Sequence, residues 1–134
     1  MRLATMPTVA QLAMMALVRR TVLIVDDHET FREAARELLE ASGFNVVGVA
    51  GDGLRALAEV ERLVPDIVLL DIQLPGLDGF AVAERLAART TSPDVVLISS
   101  RDAVTYGERV GRASVVGFLP KRDLSGASLA GLLA

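Results

Sequence analysis

Val22-Leu23-Ile24-Val25-Asp26-Asp27 and Ile67-Val68-Leu69-Leu70-Asp71 are the two stretches that decide how this chain folds. Each is a short, continuous apolar run that ends in carboxylates. Runs of this length, rich in β-branched residues, read as strands buried on both faces, the mark of a parallel sheet. As parallel neighbours, the two strands end at the same edge of the sheet. Asp26, Asp27 and Asp71 then converge on one small crevice. Uncompensated, three carboxylates repel one another and lose hydration. A hard divalent cation held through oxygens removes both problems, Mg²⁺ being the usual choice. Such a site suits phosphoryl chemistry, in which the metal neutralises phosphate oxygens.

Outward from these runs, strand and helix signals alternate from Thr21 onward. Strands are expected at Val22–Val25, Val46–Ala50, Ile67–Leu70, Val95–Ile98 and Val116–Leu119. The first helix is expected from about His28 to Ser42, with Phe31, Ala35, Leu38 and Leu39 on its inner face and Gly43 as its stop. The second starts near Asp52, an N-cap candidate, and runs to Leu63, where Pro65 breaks it. The third spans about Asp78–Arg89. The fourth, about Ala103–Gly111, is weaker because Gly107 lies inside it. The fifth runs from Leu124 to the chain end. Five βα units imply an α/β fold, a doubly wound five-stranded parallel sheet covered on both faces. In such sheets function sits outside the carboxyl ends of the strands. The residues there are Asp26 and Asp27, then Asp71, then Ser99 and Ser100, then Lys121.

At 134 residues the chain is one domain by length, large enough for a real core. A net charge of −3 without a basic cluster gives no footprint for nucleic acid. Without cysteine there are no disulfides and no thiolate metal sites, which fits a reducing cytoplasm. One histidine, His28, excludes a multi-histidine centre. Residues 1–20 stand apart as an N-terminal extension to a body of 21–134. Val9–Val18 is apolar apart from Gln11, yet too short to span a bilayer. Val9, Leu12, Ala13, Ala16 and Leu17 share one helical face. Three readings stay open: a start chosen too far upstream, an added helix docked through Leu12, Ala16 and Leu17 on the body or a second chain, and a targeting signal.

Four fragments in this order, each at a strand end, carry a resemblance. They are Val25-Asp26-Asp27, Leu70-Asp71-Ile72-Gln73-Leu74-Pro75-Gly76-Leu77-Asp78-Gly79, Leu97-Ile98-Ser99-Ser100 and Gly117-Phe118-Leu119-Pro120-Lys121. Together they resemble the receiver domain of bacterial response regulators over about Thr21–Ala134. The resemblance implies a flavodoxin-like strand order of 2-1-3-4-5. It makes Asp71 the phosphoacceptor, a carboxylate nucleophile forming an aspartyl phosphate. It places Mg²⁺ on Asp27 directly, on Asp26 mainly through water, on Asp71, and on the backbone carbonyl of Gln73. Lys121 would pair with the carboxylate and then with a phosphoryl oxygen, and the Ser99 hydroxyl would bond another oxygen. Phe118 takes the aromatic switch position. Gln73 and Arg101 occupy positions that tune dephosphorylation.

The sequence departs from the family at three points. Arg122 follows Lys121 where the family often has proline, serine stands at 99 instead of the commoner threonine, and Phe118 has no hydroxyl. The implied function is a phosphorylation switch in two-component signalling, not an enzyme. Its expected partners are a histidine kinase or phosphotransfer protein and a downstream protein that reads a face of helix four, strand five and helix five. Neither DNA nor membrane is an expected partner of this chain, and homodimer formation is left open. With no effector region after helix five, a stand-alone receiver is expected. The runner-up is the isolated receiver of a DNA-binding response regulator.

Other readings compete. A phosphatase of the haloacid dehalogenase type also uses an aspartate after a strand, but expects a second one two residues on, where this chain has Gln73. A pseudo-receiver would lack part of the Asp26, Asp27, Asp71, Ser99 and Lys121 set. Gly51-Asp52-Gly53-Leu54-Arg55-Ala56 matches a dinucleotide fingerprint, but after the second strand instead of the first. His28 is expected beside the site or merely exposed, Ser100 is expected to be a bystander, and plain core filler remains the alternative for Phe118.

Overall fold

A computed structural model of the chain describes residues 5–12 and 20–133. Among the described residues from Thr21 onward, five strands and five α-helices alternate: β1 (Thr21–Val25), α1 (Glu29–Ala41), β2 (Asn45–Ala50), α2 (Gly53–Leu63), β3 (Ile67–Asp71), α3 (Gly79–Ala87), β4 (Asp94–Ser99), α4 (Glu108–Arg112), β5 (Gly117–Pro120) and α5 (Gly126–Leu133). Every strand pair is parallel and the order across the sheet is β2-β1-β3-β4-β5. The doubly wound α/β architecture expected from the apolar runs is the one observed.

Alternation along the strands divides the core in two. Leu23, Val25, Val68, Leu70, Val95 and Leu97 point to one face and pack with Ala56, Val60, Val82 and Leu86 of α2 and α3. Val22, Ile24, Ile67, Leu69, Val96 and Ile98 point to the other, with Ala35 and Leu39 of α1 and Leu129 and Ala130 of α5. Burial on both sides is what made these strands read as unbroken apolar runs. Leu38 departs from expectation, being over a third exposed. The buried stripe of α1 follows Phe31, Ala35 and Leu39 at four-residue steps, and Leu38 falls at its margin.

Caps and glycines set the element ends. Asp52 and Asp78 N-cap α2 and α3, accepting from the amides of Arg55 at 2.8 Å and Ala81 at 2.9 Å. Gly53 explains the decoy fingerprint: a Cβ there would lie 2.5 Å from the carbonyl oxygen of Leu77. It is glycine so that α2 can approach the loop after β3. Gly107, with φ of 57°, splits the expected fourth helix into a 3-10 turn at Ala103–Tyr106 and the short α4. At the opposite end of the sheet, Arg20 pairs with Asp94 at 2.5 Å and Asp66 accepts from the Thr21 amide at 2.9 Å, tying β1 to the starts of β3 and β4.

Within the extension, Thr8 and Gln11 form a reciprocal cap, Gln11 Oε1 accepting from the Thr8 amide at 2.8 Å and Thr8 Oγ1 from the Gln11 amide at 3.1 Å. The helical turn at 9–12 follows this cap. Met6, Val9 and Leu12 are exposed. Leu12 is about half exposed, and Ala16 and Leu17 lie outside the described residues. None of the described helices is long and apolar enough to cross a membrane.

Candidate functional site

The carboxyl ends of β1, β3, β4 and β5 bring the expected residues together. Asp26 follows β1 and Asp71 closes β3, both buried, with side chains at most 3% exposed. Ligand atoms of Asp26, Asp27, His28 and Asp71 all lie within 4.8 Å of one another. Asp27 is the exposed carboxylate of the group, and His28 is exposed beside it. Lys121 reaches in from the end of β5, its Nζ 2.5 Å from Asp26 Oδ2 and 3.4 Å from Asp71 Oδ2. Its ammonium also rests 4.4 Å from the ring centroid of Phe31 on α1. That cation–π contact fixes the lysine from a second side. Sequence reasoning saw Phe31 only as core, since nothing local links residues 31 and 121.

Local bonds orient the carboxylates. Asp26 Oδ1 accepts from the His28 amide at 2.8 Å and Asp71 Oδ1 from the Gln73 amide at 3.2 Å. The guanidinium of Arg32 donates to the backbone oxygen of Asp26 at 2.8 Å, holding the turn into α1. His28 Nδ1 stands 3.2 Å from Asp26 Oδ1 and 3.0 Å from Asp27 Oδ1, so the exposed imidazole borders the cluster.

The charges do not balance. Burial pushes the Asp71 carboxyl up to about 6; Lys121 works against the rise and the Asp26 carboxylate adds to it. Burial also opposes the Lys121 ammonium, yet the two carboxylates outweigh it and raise its pKa. Asp26 Oδ2 is fully buried with no aligned hydrogen-bond donor, although Lys121 Nζ is 2.5 Å away. The ammonium lies close to this oxygen but out of line with it, so it gives charge attraction without a directed hydrogen bond. The ion pair is real, and the oxygen keeps an unused lone pair. An orphaned buried oxygen beside two further carboxylates, one of them open to solvent, is a donor set that fits a hard, partly hydrated cation.

Ser99, at the end of β4, is completely buried. Its Oγ accepts from the Arg101 amide at 3.0 Å and lies 2.5 Å from Tyr106 Oη. Tyr106 stacks edge-on between Phe80, with centroids 5.8 Å apart, and Phe118, at 6.4 Å. Phe118 is half-buried on the α2–α3 face of the sheet. Tyr106 was missed by sequence reasoning. The one available signal was that it is the sole tyrosine, seven residues after Ser99. Ser100 is exposed. Arg122, in place of the family's proline, ion-pairs with Asp102 and links the loops after β4 and β5.

Gly79 seats α3 against the end of β3. Its amide bonds the carbonyl of Ile72 at 2.9 Å, and a Cβ would lie 2.3 Å from the Asp71 carbonyl oxygen and 2.7 Å from Ile72 Cα. Neither backbone atom can turn aside. Gly79→Ala is expected to destabilise the protein by about 2 kcal/mol, the usual cost of overpacking. Urea unfolding reads this as a lower midpoint at unchanged slope.

Comparison with known proteins matches these features. The family described as the response regulator receiver domain covers residues 22–127. The transcriptional regulatory protein PdtaR of Mycobacterium tuberculosis is 38% identical over 108 residues, 79% of this chain and 51% of that protein. The DNA-binding transcriptional activator EvgA of Escherichia coli K12 is 33% identical over 101 residues, 75% of this chain and 50% of that one. The chain thus spans about half the length of these curated relatives. Among solved structures, the signal receiver domain of the M. tuberculosis response regulator NarL superposes with a TM-score of 0.75 at 34% identity, covering 86% of this chain and 93% of that one.

Proposed function

Because this chain belongs to the response regulator receiver family of two-component signalling, we propose that Asp71 accepts a phosphoryl group and that the modification switches a protein-binding face built from α4, β5 and α5. The receiver module is residues 21–134, with residues 1–20 an extension to it. The observation that carries this reading is the placement of Asp71: buried at the end of β3, with Lys121 and two further carboxylates in reach.

Asp26, Asp27, Asp71 and the backbone carbonyl of Gln73 would hold Mg²⁺. When bound, the ion neutralises charge on the phosphoryl oxygens. The other steps belong to the chain. A carboxylate oxygen of Asp71 attacks phosphorus in the phosphohistidine of a kinase or phosphotransfer protein. The P–O bond forms, the P–N bond breaks, and its electron pair returns to the imidazole, which takes up a proton. Lys121 moves from carboxylate to phosphoryl oxygen, and Ser99 donates its hydroxyl to another oxygen. Phe118 then turns into the space that Ser99 vacates. The raised pKa of Asp71 fits a nucleophile, since a more basic carboxylate is the stronger one once ionised.

Metal binding has its own expected result. Mg²⁺ at ten times its dissociation constant should stabilise the fold by about 1.4 kcal/mol, and thermal melting reads this directly. Asp27→Asn should lose most of the gain, because Asp27 is the carboxylate that solvent and ion reach first. An undiminished response in that variant would move the ion elsewhere. The switch is tested by amide chemical shifts of residues 99–121 with and without the phosphate mimic beryllofluoride. Shifts confined to the neighbourhood of Asp71 would make the chain a phosphate sink instead of a switch.

A second reading keeps the same site and changes the output. EvgA, named as a DNA-binding activator, matches this chain over half its own length. The receiver would then work within a DNA-binding regulator, and the length of the native gene distinguishes the two.

A further inference from the structure

The Ser99 hydroxyl has two uses, and one opposes the other. A serine oxygen offers one proton and two lone pairs. One lone pair receives the Arg101 amide at 3.0 Å. The remaining capacity is shared with Tyr106 Oη at 2.5 Å. No bond joins Ser99 to Asp71, Asp26 or Lys121 among the described residues. Tyr106 ends the 3-10 turn Ala103–Tyr106, and the next residue, Gly107, has the left-handed φ of 57° from which α4 departs. One phenol therefore links the buried hydroxyl of β4 to the start of α4, while its ring is gripped by Phe80 and Phe118.

We propose that Tyr106 is a positioning residue that holds Ser99 in its unphosphorylated arrangement and is released when Ser99 turns to the phosphoryl group. The proposal rests on Asp71 being the phosphoacceptor. Turning about χ1 carries Oγ away from the phenol, and a serine does this against little steric resistance. The freed phenol oxygen then sits part-buried without a partner, a costly state that water relieves once the ring shifts outward. That shift moves the 3-10 turn and, through Gly107, the head of α4. It also vacates the side of Phe118 on which Tyr106 now lies. Since Phe118 lacks a hydroxyl, the polar half of the switch passes to Tyr106, on the loop after β4 instead of on β5.

The chain provides its own reporter, for it has one tyrosine and no tryptophan. The experiment titrates the full chain with beryllofluoride and Mg²⁺, following tyrosine emission and, by ¹⁹F NMR, occupancy of Asp71. Emission is expected to change saturably in step with occupancy. In Ser99→Ala the emission should begin near its occupied value and stay there, and Ser99→Thr, which restores the hydroxyl, should restore the change. Tyr106→Phe keeps the ring contacts and removes only the hold, so beryllofluoride should bind about 5-fold more tightly, the worth of one ordinary hydrogen bond. Unmoved emission at full occupancy, or unchanged or weaker binding in Tyr106→Phe, overturns the inference alone. Failure of beryllofluoride to reach Asp71 at all overturns the phosphoacceptor reading, and the inference with it.

Discussion

Lys121→Ala should lower the stability of the metal-free protein by about 3 kcal/mol, because removing one partner of a buried ion pair leaves uncompensated charge behind. For a domain of this size that is a fall in Tm of roughly 10 °C. The lysine faces two carboxylates, Asp26 at 2.5 Å and Asp71 at 3.4 Å, and neither has another lysine or arginine at this distance among the described residues. Part of the loss should return with Mg²⁺, which supplies positive charge to the same oxygens. Phosphoryl incorporation should persist in reduced amount, since the proposed nucleophile, Asp71, is retained. The amide shifts of α4, β5 and α5 should no longer follow it, because the proposed switch runs from phosphoryl group to β5 through Lys121. Melting with and without Mg²⁺, followed by the same chemical-shift experiment, separates the two effects. A variant as stable as the wild type would remove Lys121 from the charge balance of the site.

Asp71→Asn has the opposite sign. With its pKa raised from 3.8 to about 6, Asp71 binds its proton more tightly folded than unfolded. Below the lower value it is protonated in both states and contributes nothing. As pH rises between the two values the folded state is increasingly penalised, and above about 6 the penalty is complete, on the order of 3 kcal/mol. Asparagine keeps the shape and the acceptor for the Gln73 amide but carries no charge. The metal-free variant should therefore match the wild type near about pH 4 and exceed it by a growing margin toward about pH 7, in thermal melts with chelator present. Added Mg²⁺ should narrow that margin from the wild-type side. A constant difference across the range would mean that Asp71 titrates normally and is not the strained carboxylate.

How far the sequence could be read follows from the range of the forces involved. The strands were legible because burial on both faces demands an unbroken apolar run, and Val22–Val25 and Ile67–Leu70 are such runs. Once they are parallel, residues at their ends must share an edge, so the grouping of Asp26, Asp27, Asp71, Ser99, Ser100 and Lys121 followed from topology, and the family resemblance singled out Ser99. The cap at Asp52 and the weakness of the fourth helix at Gly107 were legible because their causes are local, whereas the cap at Asp78 emerged only from the structure. What was hidden depends on side chains meeting across loops. Tyr106 reaches Ser99 because Gly107 breaks the helix one residue later, and a helical reading of Ala103–Gly111 has no such contact. Lys121 over Phe31 joins residues whose helix and strand meet only at the sheet edge. The Arg122–Asp102 pair needs the relative course of two loops. Leu38 was misplaced because helical periodicity marks the buried stripe but not its width.

The most direct measurement is intact mass after incubation with acetyl phosphate and Mg²⁺, wild type beside Asp71→Asn. One phosphoryl group should appear on the wild type, depend on Mg²⁺ and be lost in alkali, as an acyl phosphate is; the variant should gain none. Equal incorporation in both proteins would place the phosphoryl group on another residue and contradict the assignment of Asp71.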